Sequence, residues 1–177
     1  FYVVVTDIGS LSTGGVSHYA ISQALNKDSY ISFENGLQYH GMFDQMLSTI
    51  SSVTFRRARH YKVKDIQIRF CRIKKSLYFG FTEERSDIGL INMASKEKAL
   101  LDILYFRSNA YYASLIWEKL KENKDTINMS LLREYAAKFT LDVIRQVGFF
   151  LDNLNIDTDD LRYLVKNKGG YSKMTEG

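Results

Sequence analysis

Proline is absent from this chain, cysteine occurs once, and apolar runs are short. The single thiol, Cys71, excludes an internal disulfide and any zinc site built from cysteines. A reducing cytosol is therefore the expected compartment. The longest apolar stretches, "FYVVV" and "VGFFL", fall far short of the roughly 20 residues a membrane-spanning helix needs, so no membrane partner is expected. A basic start followed by an apolar stretch and a small-residue cleavage site is also missing, which argues against a secretory signal. Residue 1 is Phe rather than Met, so the chain is expected to begin inside a longer protein. Internal repeats and low-complexity linkers are absent, and the lack of proline carries no functional meaning.

What is present suits a packed fold. The 177 residues are 45% hydrophobic and 14% aromatic, enough for a core and unlike a disordered chain. Net charge is +4 with pI about 9.0, a mild surplus that by itself argues for no partner. Its distribution is more informative. Residues 56–75, "RRARHYKVKDIQIRFCRIKK", hold nine Lys or Arg against one acid, Asp65. That segment is +8 where the whole chain is +4, which leaves −4 for the remainder. Such asymmetry points to a surface that meets a polyanion.

Periodicity divides the chain into a helical start, a sheet in the middle and a helical second half. "FYVVV" predicts a strand, 6–15 a glycine-rich loop, and 16–25 a helix. "NKDS" predicts a turn. "YISFENGLQYHG" predicts a short helix with Ser32 as N-cap and Gly41 just past its end. From about Ile50 to Phe81 strands are expected. Ile66, Ile68 and Phe70 alternate with Gln67, Arg69 and Cys71, flanked by strands at 52–55 and 76–81. "EERSD" predicts a turn and 88–94 another strand. Ser95 then caps a helix in which Glu97 meets the N-terminal dipole and Lys98 can pair with Asp102 one turn on. Helices follow at 111–120, 129–139, 141–154 and 158–167, the last opened by Thr158 and stopped by Gly169-Gly170. The expected class is α+β: a mixed or antiparallel sheet flanked by helices, then a C-terminal helical subdomain.

Three chemical readings each lack a required residue or spacing, and of them only the nuclease is kept as an alternative. A metal-dependent nuclease needs an Asp and then Glu-x-Lys on a strand. Glu97-Lys98 lacks the spacer and opens a helix, and Glu83-Glu84-Arg85 sits in an expected turn. On this reading the charges of 95–102 serve helix capping and solvation. A nucleotidyltransferase needs Asp-x-Asp soon after Gly-Ser, yet "HYAISQALN" follows Gly9-Ser10 without an acid, and Asp157 and Asp159 are remote. "GSLSTGGVS" has the glycine spacing of a phosphate-binding loop, but Gly15 and Val16 stand where Lys and Ser or Thr belong. His18, His40 and His60 are scattered and read as structural or surface residues; Cys71 reads as a small strand residue and Trp117 as core. No cofactor, metal or catalytic residue is assigned.

The basic segment remains. Its ordinary reading is a solvated face with lysines guarding a sheet edge. Its functional reading is a DNA-contacting surface of Arg56, Arg57, Arg59, Lys62, Lys64, Arg69, Lys74 and Lys75, making sequence-independent phosphate contacts with counterion release. Tyr61 offers a ring for an unpaired base.

Three blocks resemble a known family. "SYISFENGLQYHGMFDQMLSTISSVTFRRAR" (29–59) is similar to the AbiEi antitoxin pattern Y-I-S-x-x-x-(A/G)-L-x-x-H-G followed by a strand ending in basic residues. "LINMASKEKALLDILYFR" (90–107) resembles its apolar strand leading into A-x-x-E-K-A-L-L-D. "VIRQVGFFLDNLNI" (143–156) resembles its R-x-x-G-(Y/F)-L-L-E helix, with Asp152 in place of Glu. The resemblance implies a non-enzymatic antitoxin of a bacterial type IV toxin–antitoxin system and a transcriptional autoregulator of its own operon. It implies an N-terminal winged helix that binds double-stranded operator DNA, and a nucleotidyltransferase toxin as functional partner without a stable complex. On this view 1–14 is the end of, or link from, the winged helix, 15–125 the α+β core and 126–177 its helical continuation. Glu97, Lys98 and Asp102 then fix the helix against the sheet. The alternatives are a divergent metal-dependent nuclease and a protein-interaction domain with an acidic partner.

Overall fold

The computed structural model describes residues 18–63, 65–86, 89–166 and 168. The expected strand at 1–5, the loop at 6–15, Lys64 and Gly169-Gly170 lie outside them. Among the described residues the order is α1 (His18–Leu25), β1 (Ser29–Ile31), α2 (Phe33–Tyr39), β2 (Thr49–Thr54), β3 (Arg59–Val63), β4 (Ile66–Arg72), β5 (Phe81–Ser86), β6 (Gly89–Ala94), then α3 (Lys96–Phe106), α4 (Ala110–Glu122), α5 (Met129–Ala136), α6 (Leu141–Asn153) and α7 (Asp159–Val165). The fold is α+β with a mixed sheet and a C-terminal helical part, in agreement with the class expected from periodicity.

The six strands run in the order β3-β4-β2-β1-β6-β5. β2 is parallel to β4 and β1 to β6; β1–β2, β3–β4 and β5–β6 are antiparallel. After β2 the chain crosses the end of β4 through residues 55–58, runs back along the sheet edge as β3, and returns by a hairpin into the gap as β4. This crossing fixes where the basic residues go.

Strand alternation sorts the side chains to two faces. Tyr30, Val53, Cys71 and Ala94 face the main core, which α2 and α3 line. That core continues into the later helices, where Ile116, Leu120, Leu132, Ala136, Val147, Leu151 and Leu161 are all buried. The opposite face carries Ile31, Ile50, Ile68, Phe70, Ile91 and Met93, over which α1 lays Ala20 and half-buried Tyr19 and Ile21.

Four local expectations are corrected. Tyr30 and Ile31 are not the approach to a helix but part of β1, because their apolar side chains bury on opposite faces of the sheet. Residues 76–81 are not a strand: Lys75–Leu77 form a 3₁₀ turn, and the strand begins at Phe81. The expected turn "EERSD" is instead largely β5, since pairing with β6 supplies the hydrogen bonds that its polar residues do not advertise. Ser32 does occupy the N-cap position of α2, but its hydroxyl makes no cap bond and is used elsewhere. The step from β1 into α2 is tight, with Phe33 at φ 58. A buried aromatic in that left-handed region costs about 1–2 kcal/mol, and full burial beneath the Arg107 guanidinium, 4.9 Å from its ring, holds it there.

Candidate nucleic-acid interface

Two charged clusters stand out, and they differ in kind. The first is the start of α3. Ser95 caps the helix by accepting from the Lys98 amide at 3.2 Å. Glu97, Lys98 and Asp102 are buried, so the expectation that they are solvated is corrected. Lys98 Nζ is ion-paired to Asp102 Oδ1, and both side chains are fully buried. Asp102 Oδ2 accepts from Ser32 Oγ at 2.7 Å and from Tyr30 Oη at 3.1 Å. The ammonium also lies 5.2 Å, 5.4 Å and 4.9 Å from the ring centres of Tyr30, Phe79 and Phe139. Burial lowers the proton affinity of Lys98, and Asp102 opposes that shift. Glu97 Oε1 accepts from the Asn128 amide at 2.8 Å, tying α3 to the entry of α5. These carboxylates take part in α3's own docking, and both residues are buried.

The second cluster is the basic segment, and strand alternation divides it. Arg59 and Tyr61 fall on the α1 side of β3, whereas His60 and Lys62 fall on the other side, beside Gln67 and Arg69 of β4. Arg56 and Arg57 sit in the crossing that follows β2. Lys74 and Lys75 follow β4, and Lys75 Nζ lies 5.8 Å from the Phe55 ring that also carries the Arg56 guanidinium at 4.7 Å. The eight expected DNA contacts thus do not form one face. Arg56, Arg57 and Arg59 gather, and of the two lysines that follow β4, Lys75 reaches the Phe55 ring. Lys62 and Arg69 belong to the other side, and Lys64 is outside the described residues.

The gathered arginines rim a cleft of about 370 Å³ lined by Leu25, Asn26, Arg56, Arg57, Arg59, Tyr61 and Phe70. Its base is rigid. Thr54 Oγ1 donates to the Asp28 carbonyl at 2.6 Å and accepts from the Arg56 amide at 3.1 Å and from Asn26 Nδ2 at 3.2 Å. Arg56 Nε donates to Asp28 Oδ2 at 2.9 Å, and Arg59 donates to the Tyr61 hydroxyl at 3.0 Å. Among the described residues the Arg57 guanidinium has no such partner. Sequence reasoning found the arginines and Tyr61 but missed Leu25, Asn26 and Phe70, which are distant in sequence and apolar or turn residues by appearance.

Among the described residues no three of His, Cys, Asp and Glu gather as a metal-binding group, and no helix is long and apolar enough to cross a membrane. No protein-family model matches this chain, and no curated protein matches it.

Proposed function

We propose that this chain belongs to a non-enzymatic, DNA-binding antitoxin and autoregulator of the AbiEi type, working in the cytoplasm opposite a nucleotidyltransferase toxin. The observation that carries the DNA-facing part is the corner of Arg56, Arg57 and Arg59, in which Asp28 holds the Arg56 side chain, Tyr61 holds that of Arg59, and Arg57 stays open to a ligand. Guanidiniums held in fixed geometry suit phosphate oxygens and lose little freedom on binding. The antitoxin part rests on the three sequence blocks, two of which carry the residues of the α3 docking site. The burial of Glu97 and Asp102 weighs against the nuclease alternative, because Asp102 already accepts from two hydroxyls and an ammonium and Glu97 is tied to the Asn128 amide beneath the surface.

Growth rescue tests the reading. The product of the neighbouring gene is expressed alone, with this chain, and with the chain reversed to Glu at Arg56, Arg57 and Arg59. Rescue by the chain is the expected result. A toxic neighbour left unrelieved by the folded chain contradicts it.

A further inference from the structure

We propose that the cleft beside α1 binds one nucleotide unit, with the phosphate on Arg57 and Arg59 and the base against Tyr61 and Leu25. The inference rests on the nucleic-acid-facing reading of the same corner and names what the corner grips. Three features support it together. The volume of about 370 Å³ fits a nucleotide rather than a duplex. Its rim is cationic: Arg57 has no described partner, and Arg59 spends one N–H on Tyr61 while its others remain for a ligand. Its wall is apolar and partly open, with Leu25 41% exposed, Tyr61 half-buried, and Phe70 beneath, its ring 6.0 Å from that of Tyr61 and nearly perpendicular. Guanidiniums over an aromatic and aliphatic wall are the pairing that phosphate and base require.

The cleft also indicates what it does not read. Asn26, the one amide in its lining, has Nδ2 on Thr54 and Oδ1 on the Asp28 amide. Arg56 is held by Asp28. With these polar groups engaged, base identity is weakly discriminated. The nucleotide can be free or an unpaired unit of a strand; the chemistry is shared.

Calorimetric titration of the chain separates the outcomes, using adenosine monophosphate, adenosine, inorganic phosphate, a short oligothymidylate and a DNA duplex. The monophosphate is expected to bind at least about tenfold more tightly than either adenosine or phosphate. Arg57→Glu, an exposed change that breaks no described contact, lowers that affinity by about tenfold or more. Tyr61→Leu weakens the monophosphate more than it weakens inorganic phosphate, because the base loses its ring while Arg59 loses only the hydroxyl it donates to. Oligothymidylate tighter than the monophosphate assigns the cleft to strands; the reverse assigns it to free nucleotides. No binding of monophosphate or oligothymidylate, or equal binding by the Arg57→Glu chain, overturns the proposal. Duplex binding retained in that case leaves the DNA-facing reading standing, whereas duplex binding lost with nucleotide binding intact removes that reading alone.

Discussion

Removing one member of the Lys98–Asp102 pair is the perturbation with the largest predicted effect. Both side chains are fully buried, so neither charge can turn to water when its partner goes. Breaking a buried pair from one side costs about 3–5 kcal/mol. Asp102→Ala also takes the acceptor from Ser32 and Tyr30, and each buried hydroxyl left unpaired adds about 1–3 kcal/mol. Lys98→Met leaves the carboxylate its two hydroxyl donors and is the milder single change. Replacing both, as Lys98→Met with Asp102→Ala, removes the charges together and costs less than the sum of the two singles. The assay is urea unfolding of the wild type, both singles and the double, followed by circular dichroism. With a slope of about 2 kcal/mol per molar urea, Lys98→Met shifts the midpoint by roughly 2 M and Asp102→Ala by roughly 3 M or more. Because whole-domain stability is about 5–15 kcal/mol, an Asp102→Ala chain that fails to fold agrees with this estimate. Singles that each cost under about 1 kcal/mol, or a double that equals their sum, would refute the reasoning.

Three further outcomes are expected. Gly80→Ala destabilises more than Gly41→Ala: both glycines have positive φ, but a Cβ at Gly80 meets Tyr135 at 2.8 Å and Lys98 at 3.2 Å, while one at Gly41 meets nothing within 4 Å; thermal melts of the two variants compare them directly. Glu97→Ala frees the Asn128 amide, costs about 1–2 kcal/mol and speeds hydrogen exchange at Asn128 before it affects the sheet. The Thr158 hydroxyl, and then Arg162, hold the Asp152 carboxyl below the usual carboxylate range. Its folded proton affinity is depressed, so its contribution is present above the ordinary carboxylate range and lost as pH falls through the folded value. Melts across acid pH should therefore be flatter for Asp152→Asn than for the wild type.

The helices were the most legible part of the fold. Ser95, Thr158 and the 3.6-residue periodicity mark α3, α6 and α7 because burial along one stripe leaves a repeating trace. β5 was opaque for the converse reason: "FTEERS" is polar at most positions, and only its pairing with β6 makes it a strand. β1 was opaque because three residues buried on both faces leave no alternation to read. At the site, clustering of arginine was visible in the sequence, but the face taken by each strand position was not. Only the register of β3 against β4 separates Arg59 and Tyr61 from Lys62 and Arg69. Burial of Lys98 and Asp102 was equally hidden, since the hydroxyl donors to Asp102 lie 72 and 70 residues away, at Tyr30 and Ser32.

The most direct test of the central claim is the salt dependence of duplex DNA binding. Affinity is measured from low to moderate salt for the wild type, for Arg57→Glu with Arg59→Glu, and for Lys62→Glu with Arg69→Glu. Each lost phosphate contact reduces the log–log slope by about 0.9. The account predicts that the first pair of changes flattens the slope by about 2 and weakens binding, while the pair on the opposite side of the sheet changes the slope by less than about 1. Equal effects from both pairs, or a slope unmoved by the first, would contradict it.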